Sequence, residues 1–230
     1  AAAGGAGGSG EPRLPRTAEE KENTERLIVV LERAGLETVK TRKGFELLNS
    51  DDHKGMHKKM KRDPAQSRPD IVHQAMMALM DSPLNKAGKL QVFVHTEQNV
   101  LIEISPHLRI PRTYKRFAGL MVQLLHKLKV RSAEGSKTLM KVIRNPVIAH
   151  LPTGAKRIGT SVKGELIDPM DLVAKLPRGR PIVFCFGSHA HGPVEVDYVE
   201  EVYSFSSYGL SAATALNRLL GAFEKHWGIL

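Results

Sequence analysis

The sequence predicts an α/β fold with an at least partly parallel sheet. Two short apolar runs, at residues 27–31 and 181–186, are typical of strands buried on both faces of a sheet. Strand-like and helix-like segments alternate between and after these runs, as they do where crossover helices connect parallel strands. The chain has 230 residues, 41% hydrophobic and 25% charged, so it can bury a sizeable core.

The first 26 residues differ in composition from the rest. Residues 1–10 are all Ala, Gly or Ser, and two prolines and a charged run follow them. Because such a segment cannot bury a core, we predict a disordered tail over residues 1–26 and a single domain over residues 27–230.

The first elements after the strand at residues 27–31 are a helix and a hairpin. Residues 70–80 predict a helix that Asp70 caps and that stops before Pro83. Residues 90–94 and 100–104 predict two strands joined by a short polar turn, which is the pattern of a β-hairpin.

Residues 114–130 predict a strongly amphipathic helix, because large apolar side chains recur there at spacings of three and four. Further along, we expect a short strand at 157–160, a short helix at 168–176 and a weaker strand at 202–205. The closing helix covers residues 210–227, and Gly228 is a natural C-terminal stop.

The positive charge is concentrated in one part of the chain. The formal net charge is +10, yet residues 27–150 alone carry 22 basic and 11 acidic side chains, while residues 151–230 carry eight of each. This asymmetry favours a binding face for a polyanion, most often nucleic acid, in residues 27–150 and a different task in residues 151–230. The alternative is a solvated basic surface with no partner.

Several classes of protein are excluded. A single cysteine, Cys185, rules out a disulfide framework, an all-cysteine zinc site and a cysteine-ligated iron–sulfur cluster. No apolar run approaches the roughly 18 residues of a membrane span, so we expect no membrane. Residues 154–161 have the Gly-x4-Gly spacing of a phosphate loop, but Thr160 stands where that loop needs Lys. No Gly-x-Gly-x-x-Gly follows a strand, and aromatic residues are too sparse for an RNA-recognition sheet.

The histidines give weak signals. His53 and His57 are four apart, but the surrounding lysines would repel a cation, so we expect a solvated basic loop there and no metal site. His189 and His191 stand between two glycines, where a general base or a plain loop histidine would both fit.

Two arginine motifs are more specific. Arg112 and Arg116 share one side of the start of the predicted helix, where a bound phosphate would offset both their charge and the helix dipole. The alternative is a solvated face. In the second motif, Pro69 holds Arg68 extended, and Asp70 either only caps the following helix or also pairs with Arg68 and fixes its guanidinium for a ligand.

Eight segments, taken together and in order, carry a resemblance to a known family. They are LIVVLE at 27–32, RPDIVHQ at 68–74, MDSPLN at 80–85, RIPRT at 109–113, GLMVQLLH at 119–126, IGTS at 158–161, GSHAHG at 187–192 and SFSSYGLSA at 204–212. They closely resemble the ribosome-biogenesis pseudouridine N1-methyltransferase family of the SPOUT (α/β-knot) class. The resemblance covers residues 27–230.

The resemblance implies a SPOUT-type sheet with helices on both faces, a trefoil knot near the C-terminus, and a homodimer. It also implies that knotted loops in residues 151–230 bind S-adenosylmethionine. The positions that match the family's cofactor contacts are Thr160, Gly187, Gly192, Phe205, Ser206, Ser207, Tyr208, Gly209 and Leu210. The family usually has proline where Gly209 stands, so we expect cofactor binding to be weakened but retained.

The resemblance also implies how residues 27–150 dock RNA. The family's rRNA-contacting arginines match Arg68, Arg109, Arg112 and Arg116, and Asp70 matches the residue that steadies Arg68. We expect Arg68, held by Asp70, to act in catalysis by stabilising an anionic base.

The implied function is S-adenosylmethionine-dependent methylation of N1 of a pseudouridine in small-subunit rRNA. The implied partners are pre-rRNA and the proteins of the small-subunit pre-ribosome, in the nucleus and nucleolus. The alternative is a pre-rRNA-binding assembly factor whose methyl transfer is secondary or lost.

Overall fold

The computed structural model describes residues 11–190 and 196–230. Its strands are β1 (Leu27–Ala34), β2 (Thr38–Thr41), β3 (Gly44–Leu47), β4 (Leu90–Thr96), β5 (Leu101–Ile104), β6 (Lys129–Arg131), β7 (Thr138–Ile143), β8 (Lys156–Leu166), β9 (Ile182–Gly187) and β10 (Glu201–Ser204). Its α-helices are α1 (Ala18–Asn23), α2 (Lys54–Met60), α3 (Pro69–Asp81), α4 (Pro83–Lys86), α5 (Tyr114–Lys127), α6 (Pro169–Lys175) and α7 (Ala212–Trp227). Two 3-10 turns lie at Pro64–Gln66 and Val147–His150.

Eight strands form one mixed sheet in the order β10-β8-β9-β1-β4-β5-β7-β6. The neighbours from β10 to β4 pair in parallel, and those from β4 to β6 pair antiparallel. The predicted partly parallel sheet and the β4–β5 hairpin are therefore confirmed. The strands β2 and β3 form a separate antiparallel ribbon, which packs on α5 through the rings of Phe45 and His126.

The central strand β1 is buried on both faces of the sheet, as its continuous apolar run predicts. Leu27 and Val29 face a large apolar cluster that contains the buried side chains of α3 to α7. Ile28 and Val30 face a smaller cluster, which the 3-10 turn Val147–His150 helps to close. The arrangement thus differs from the expected helices on both faces, because α3 to α7 all pack on one side.

The helices α3, α6 and α7 and the strands β9 and β10 lie where the sequence predicts them, within one or two residues at each end. Helix α5 ends at Lys127, earlier than expected, because Leu128 has a φ of 59° and the chain turns there into β6. Strand β8 is far longer than the predicted 157–160. The ribbon β2–β3, helix α2 and the β6–β7 pair were not predicted.

The structure also differs from the expectation of disorder over residues 11–26. Helix α1 has a complete capping box, in which Thr17 and Glu20 satisfy each other's backbone N–H groups. The Glu22 carboxylate accepts hydrogen bonds from the backbone N–H groups of Thr153 and Gly154, at 2.7 and 3.2 Å. Arg26 is 1% exposed. This polar segment is held by hydrogen bonds rather than by an apolar core, so composition gave no sign of it.

The prediction of a solvated basic loop around His53 and His57 was wrong. Both imidazoles are buried, and His57 lies on helix α2. His53 lies 3.7 Å from the Glu46 carboxylate, and the His57 Nδ1 atom contacts the His53 carbonyl at 2.8 Å. The lysines of this segment are exposed, whereas His53 at the N-cap and His57 within the helix are turned inward.

Candidate functional site

A cleft of about 560 Å³ opens where β9 and β10 end, beside the middle of β8. Ligands of open α/β sheets bind at the carboxyl ends of parallel strands, so this is the expected place for a site. The first turns of α3 and α7 close the remaining sides, with Ala212, Ala213 and Ala215 presenting only methyl groups. The cleft therefore has a charged wall, from Arg68 and Asp70 at the start of α3, while small side chains make up much of the rest beside the rings of Phe186, Phe205 and Tyr208.

A wide bulge in β8 forms one of these walls. The pairing of β8 with β10 runs through Gly159 opposite Val202 and then jumps to Glu165 opposite Tyr203. Residues 160–164 therefore lie outside the ladder, and the first three of them line the cleft. Thr160 is tied back to β9 by a 2.9 Å hydrogen bond from its hydroxyl to the Cys185 carbonyl.

Gly164 permits this bulge. A Cβ atom at that position would lie 2.6–2.8 Å from backbone atoms of Tyr203, where no carbon atom can fit. Any larger residue must therefore push β8 away from β10 and deform the cleft wall. Gly164 was not among the residues predicted to matter, because the contact depends on a register jump that local sequence does not encode.

Most of the predicted cofactor residues lie around the cleft. Those that line it are Thr160, Gly187, Phe205, Ser206, Tyr208, Gly209 and Leu210. Ser207 is exposed and lies outside the lining. Gly192, like His191, falls outside the described residues. His189, for which a general base and a plain loop residue were both considered, lines the cleft next to Gly187.

The segment after β10 is braced by its own serines. The Ser204 hydroxyl donates to the Ser206 carbonyl at 2.9 Å, and the Ser206 hydroxyl accepts from the Tyr208 N–H at 3.0 Å. At Gly209 the φ angle is not in the left-handed region, and an added Cβ would meet nothing within 4 Å. This turn therefore does not need glycine at position 209.

Arg68 and Asp70 form a bidentate pair in the wall that α3 contributes. The Arg68 Nε and Nη2 atoms donate to the two carboxylate oxygens of Asp70 at 2.8 and 2.7 Å. These hydrogen bonds lower the pKa of Asp70 and raise that of Arg68. Asp70 is not the N-cap, since Arg68 occupies that position and Pro69 begins the helix. Of the two alternatives for Asp70, the structure therefore shows the pairing with Arg68 and not the helix cap. Both side chains line the cleft.

His73 links this wall to the predicted RNA-contacting arginines. Its Nε2–H donates to the Pro111 carbonyl at 2.7 Å, and its ring stacks on Phe117 at 4.5 Å between centroids. The segment that holds Arg109 and Arg112 is thereby fixed against the helix that carries Asp70. His73 was not predicted as a functional residue, because a lone histidine in an apolar helix gives no specific signal.

The arginine ridge, meaning Arg109, Arg112 and Arg116, is exposed and does not line the cleft. Arg112 is ion-paired with Asp81 at the end of α3. Within residues 11–190 and 196–230, Arg109 and Arg116 have no acidic partner. The ridge therefore offers charge to a ligand outside the cleft, whereas Arg68 offers it inside.

Comparison with known proteins decides the family. The model of the EMG1/NEP1 methyltransferase family matches residues 29–224. The chain belongs to the EMG1/NEP1 methyltransferase family. This methyltransferase is 53% identical over 220 residues to the human protein named ribosomal RNA small subunit methyltransferase NEP1, covering 95% of this chain and 89% of that protein. The Nep1 protein of Thermococcus onnurineus is 33% identical over 184 residues, covering 79% of this chain and 82% of that one.

A solved structure supports the fold. The crystal structure of Archaeoglobus fulgidus Nep1 bound to S-adenosylhomocysteine matches this methyltransferase with a TM-score of 0.73 and 22% sequence identity, over 89% of this chain and 99% of that one. The prediction of a SPOUT-type α/β sheet is therefore confirmed, while the trefoil knot stays a prediction. Among the described residues, no helix is long and apolar enough to cross a membrane, and no three or more His, Cys, Asp or Glu side chains come together as a metal site would require.

Proposed function

We propose that this methyltransferase transfers a methyl group from S-adenosylmethionine to N1 of a pseudouridine in small-subunit rRNA. The observation that carries the proposal is the convergence, around one cleft, of the predicted cofactor residues with the Arg68–Asp70 pair. Family membership supports the reaction class, and the relatives' name, ribosomal RNA small subunit methyltransferase, supports the substrate class.

The residues around the cleft fit a cofactor of this kind. Gly187 and Gly209 leave backbone groups accessible, and the alanines at the start of α7 leave room for a bulky ligand. Phe205 and Leu210 offer apolar contact, while Ser206 offers a hydroxyl. When bound, S-adenosylmethionine supplies an electrophilic methyl group on a sulfonium.

Arg68 stabilises charge on the target base. N1 of a pseudouridine gives up its proton, which passes to solvent, as the methyl group is accepted, so negative charge develops on the ring. A guanidinium fixed beforehand by two hydrogen bonds to Asp70 meets that charge without reorganisation. The lowered pKa of Asp70 makes it a poor proton acceptor, so it holds Arg68 rather than taking the N1 proton.

The arginine ridge docks the RNA next to the cleft. Its exposed guanidinium groups contact backbone phosphates, and the target nucleotide turns out of its stack into the cleft. Binding therefore weakens steeply with salt, because each neutralised phosphate releases counterions. The protein works with pre-rRNA and small-subunit pre-ribosome proteins, in the nucleus and nucleolus.

A second copy of the chain covers the β10 edge of the sheet. Large apolar side chains are exposed there: Val162 is 70% exposed, Leu166 58%, Val202 41% and Tyr208 80%. Burying them in a homodimer would also shelter the cleft, which Val162 and Tyr208 line. Light scattering on the purified protein should give twice the chain mass, and Val202→Lys should shift it towards the monomer.

Mass spectrometry of rRNA from cells lacking the protein tests the function. We expect one N1-methylpseudouridine of the small subunit to disappear and to return with the wild-type gene. The assembly-factor alternative predicts an unchanged modification pattern. Calorimetric titration with S-adenosylhomocysteine also distinguishes the two hypotheses. A methyltransferase should bind it, whereas an assembly factor that has lost methyl transfer should not.

A further inference from the structure

Glu32 is a buried carboxylate at the end of β1 that the proposed mechanism does not use. It is 3% exposed and lies opposite Gly187 in the parallel ladder between β1 and β9. Its side chain is not among those that line the cleft. Burying a carboxylate is costly unless it is paired and hydrogen-bonded, so its partners indicate what it does.

The backbone of Glu32 holds the chain immediately after β9. Its carbonyl accepts hydrogen bonds from both the Ser188 N–H, at 2.9 Å, and the Ser188 hydroxyl, at 2.8 Å. Ser188 is fully buried, while its neighbours Gly187 and His189 line the cleft. This double hydrogen bond therefore fixes the point at which the chain leaves the sheet to form the cleft wall.

The carboxylate of Glu32 holds two further residues. One oxygen accepts from the Tyr198 hydroxyl, and the other contacts the His95 Nδ1 atom at 2.7 Å. The His95 Nε2 atom lies 2.8 Å from the Asn99 Oδ1 atom. Because both ring nitrogens face oxygen acceptors, this arrangement favours the protonated form of His95, and the hydrogen bond to Glu32 raises its pKa.

Tyr198 in turn contacts β9. The Cys185 thiol donates to its hydroxyl at 3.3 Å. Burial raises the pKa of that thiol to about 12, so it stays protonated and adds no charge to the network. Neither Tyr198 nor His95 lines the cleft, so any influence of the network on a ligand passes through the residues it holds.

We propose that Glu32 is a positioning residue for the cofactor wall of the cleft. Through its carbonyl it anchors Ser188 and through its carboxylate it anchors Tyr198. Both anchors reach residues that line the cleft: Ser188 stands next to Gly187, and Tyr198 contacts Cys185, whose carbonyl holds the Thr160 hydroxyl. This inference rests on the proposed cofactor site. It differs from a purely structural role because it predicts that weakening the carboxylate anchor lowers cofactor affinity even where the melting temperature changes little.

Titration calorimetry with S-adenosylhomocysteine on the full chain tests the inference. Tyr198→Phe removes one hydrogen bond to the carboxylate, and Glu32→Gln removes its charge while keeping its size. We expect the dissociation constant to rise at least fivefold and at least tenfold, respectively, with RNA affinity unchanged. The matched control is Glu103→Gln, which disrupts an ion pair with Lys141 elsewhere in the same sheet and should leave the dissociation constant within twofold.

Melting temperatures measured without ligand separate the two explanations. If Tyr198→Phe and Glu32→Gln lower the melting temperature as Glu103→Gln does but bind S-adenosylhomocysteine within twofold of wild type, Glu32 only stabilises the sheet and the inference is overturned. Should Glu32→Gln fail to fold, Tyr198→Phe decides alone. Failure of the wild-type chain to bind would instead contradict the proposed function.

Discussion

The cofactor cleft and the arginine ridge are neighbouring surfaces built in opposite ways. The cleft owes its shape to backbone, to small side chains and to a bulge that only Gly164 permits. The ridge consists of long cationic side chains that point into solvent. His73 joins the two, since it fixes the ridge to helix α3, which carries Asp70. Cofactor binding in the cleft should therefore be sensitive to added side-chain volume. RNA binding on the ridge should be sensitive to lost charge and to salt concentration.

Replacing Arg68, which lines the cleft and faces the target base in the proposed mechanism, should have the largest effect on the rate of methyl transfer. We expect Arg68→Ala to slow single-turnover methyl transfer about 100-fold, the usual loss when one preorganised donor is removed. S-adenosylhomocysteine affinity should change less than twofold. Arg62→Ala is the control, because it breaks a different exposed ion pair, with Glu37, and should transfer at the wild-type rate. Unchanged single-turnover transfer in Arg68→Ala would exclude the catalytic role.

Adding one methyl group at Gly164 should damage the cleft without touching the ridge. We expect Gly164→Ala to weaken S-adenosylhomocysteine binding about tenfold or more and to lower the melting temperature, because the new Cβ collides with the Tyr203 backbone. Gly221→Ala in helix α7 is the control, since its Cβ meets nothing within 4 Å and alanine favours a helix. Equal affinity in the two variants would contradict the role of the bulge.

Removing charge from the arginine ridge should weaken RNA binding and leave cofactor binding unchanged, the reverse of the effect at Gly164. Arg109→Ala and Arg116→Ala should each weaken RNA binding about fivefold and reduce the slope of log affinity against log salt by nearly one. Arg112→Ala should do less, because Arg112 is already paired with Asp81. Cofactor affinity should not change. Filter binding at several salt concentrations measures this, with Lys58→Ala in helix α2 as the control. A larger effect in that control would move the RNA surface to the lysine-rich helix.

The pH dependence of stability should come from the ion pair of Glu32 and His95, which lies outside the cleft lining. Hydrogen bonding to Glu32 raises the pKa of His95 above its ordinary value of 6.5. The pair's stabilisation is therefore complete below pH 6.5 and is lost as the pH rises through the raised pKa. Urea unfolding from pH 6 to pH 9 should show wild type more stable than His95→Gln by about 1 kcal/mol at pH 6, with the gap closing at higher pH. If the difference in free energy of unfolding between wild type and His95→Gln grows as the pH rises, the raised pKa of His95 does not stabilise the fold as described.

The smallest effect should come from Gly209, where the cleft has room for a side chain. Gly209→Ala should strengthen S-adenosylhomocysteine binding two- to fivefold, because alanine reduces the conformational freedom that binding must remove. Titration calorimetry on Gly209→Ala and Gly164→Ala together compares the S-adenosylhomocysteine affinities of the two variants directly. Weaker binding in Gly209→Ala would show that glycine is needed there.

The features of the site that depend on residues close together in the chain could be predicted from the sequence. Asp70 stands two positions from Arg68, so their pairing could be considered from the motif alone, and charge counts located the ridge in residues 27–150. The bulge at Gly164 and the network around Glu32 join residues far apart in the chain, so no local pattern shows them. The buried His53 and His57 were misjudged for a related reason, since the lysines around them dominate the local composition.

The most direct test compares two RNA hairpins of one sequence that differ at the target position alone. One carries pseudouridine there and the other carries uridine, whose N1 is bonded to the sugar and cannot accept a methyl group. With labelled S-adenosylmethionine and wild-type protein, the proposed function predicts label in the pseudouridine hairpin, located at N1 by mass spectrometry, and none in its uridine partner. Equal labelling of both hairpins, or label in neither while S-adenosylhomocysteine still binds, would contradict it.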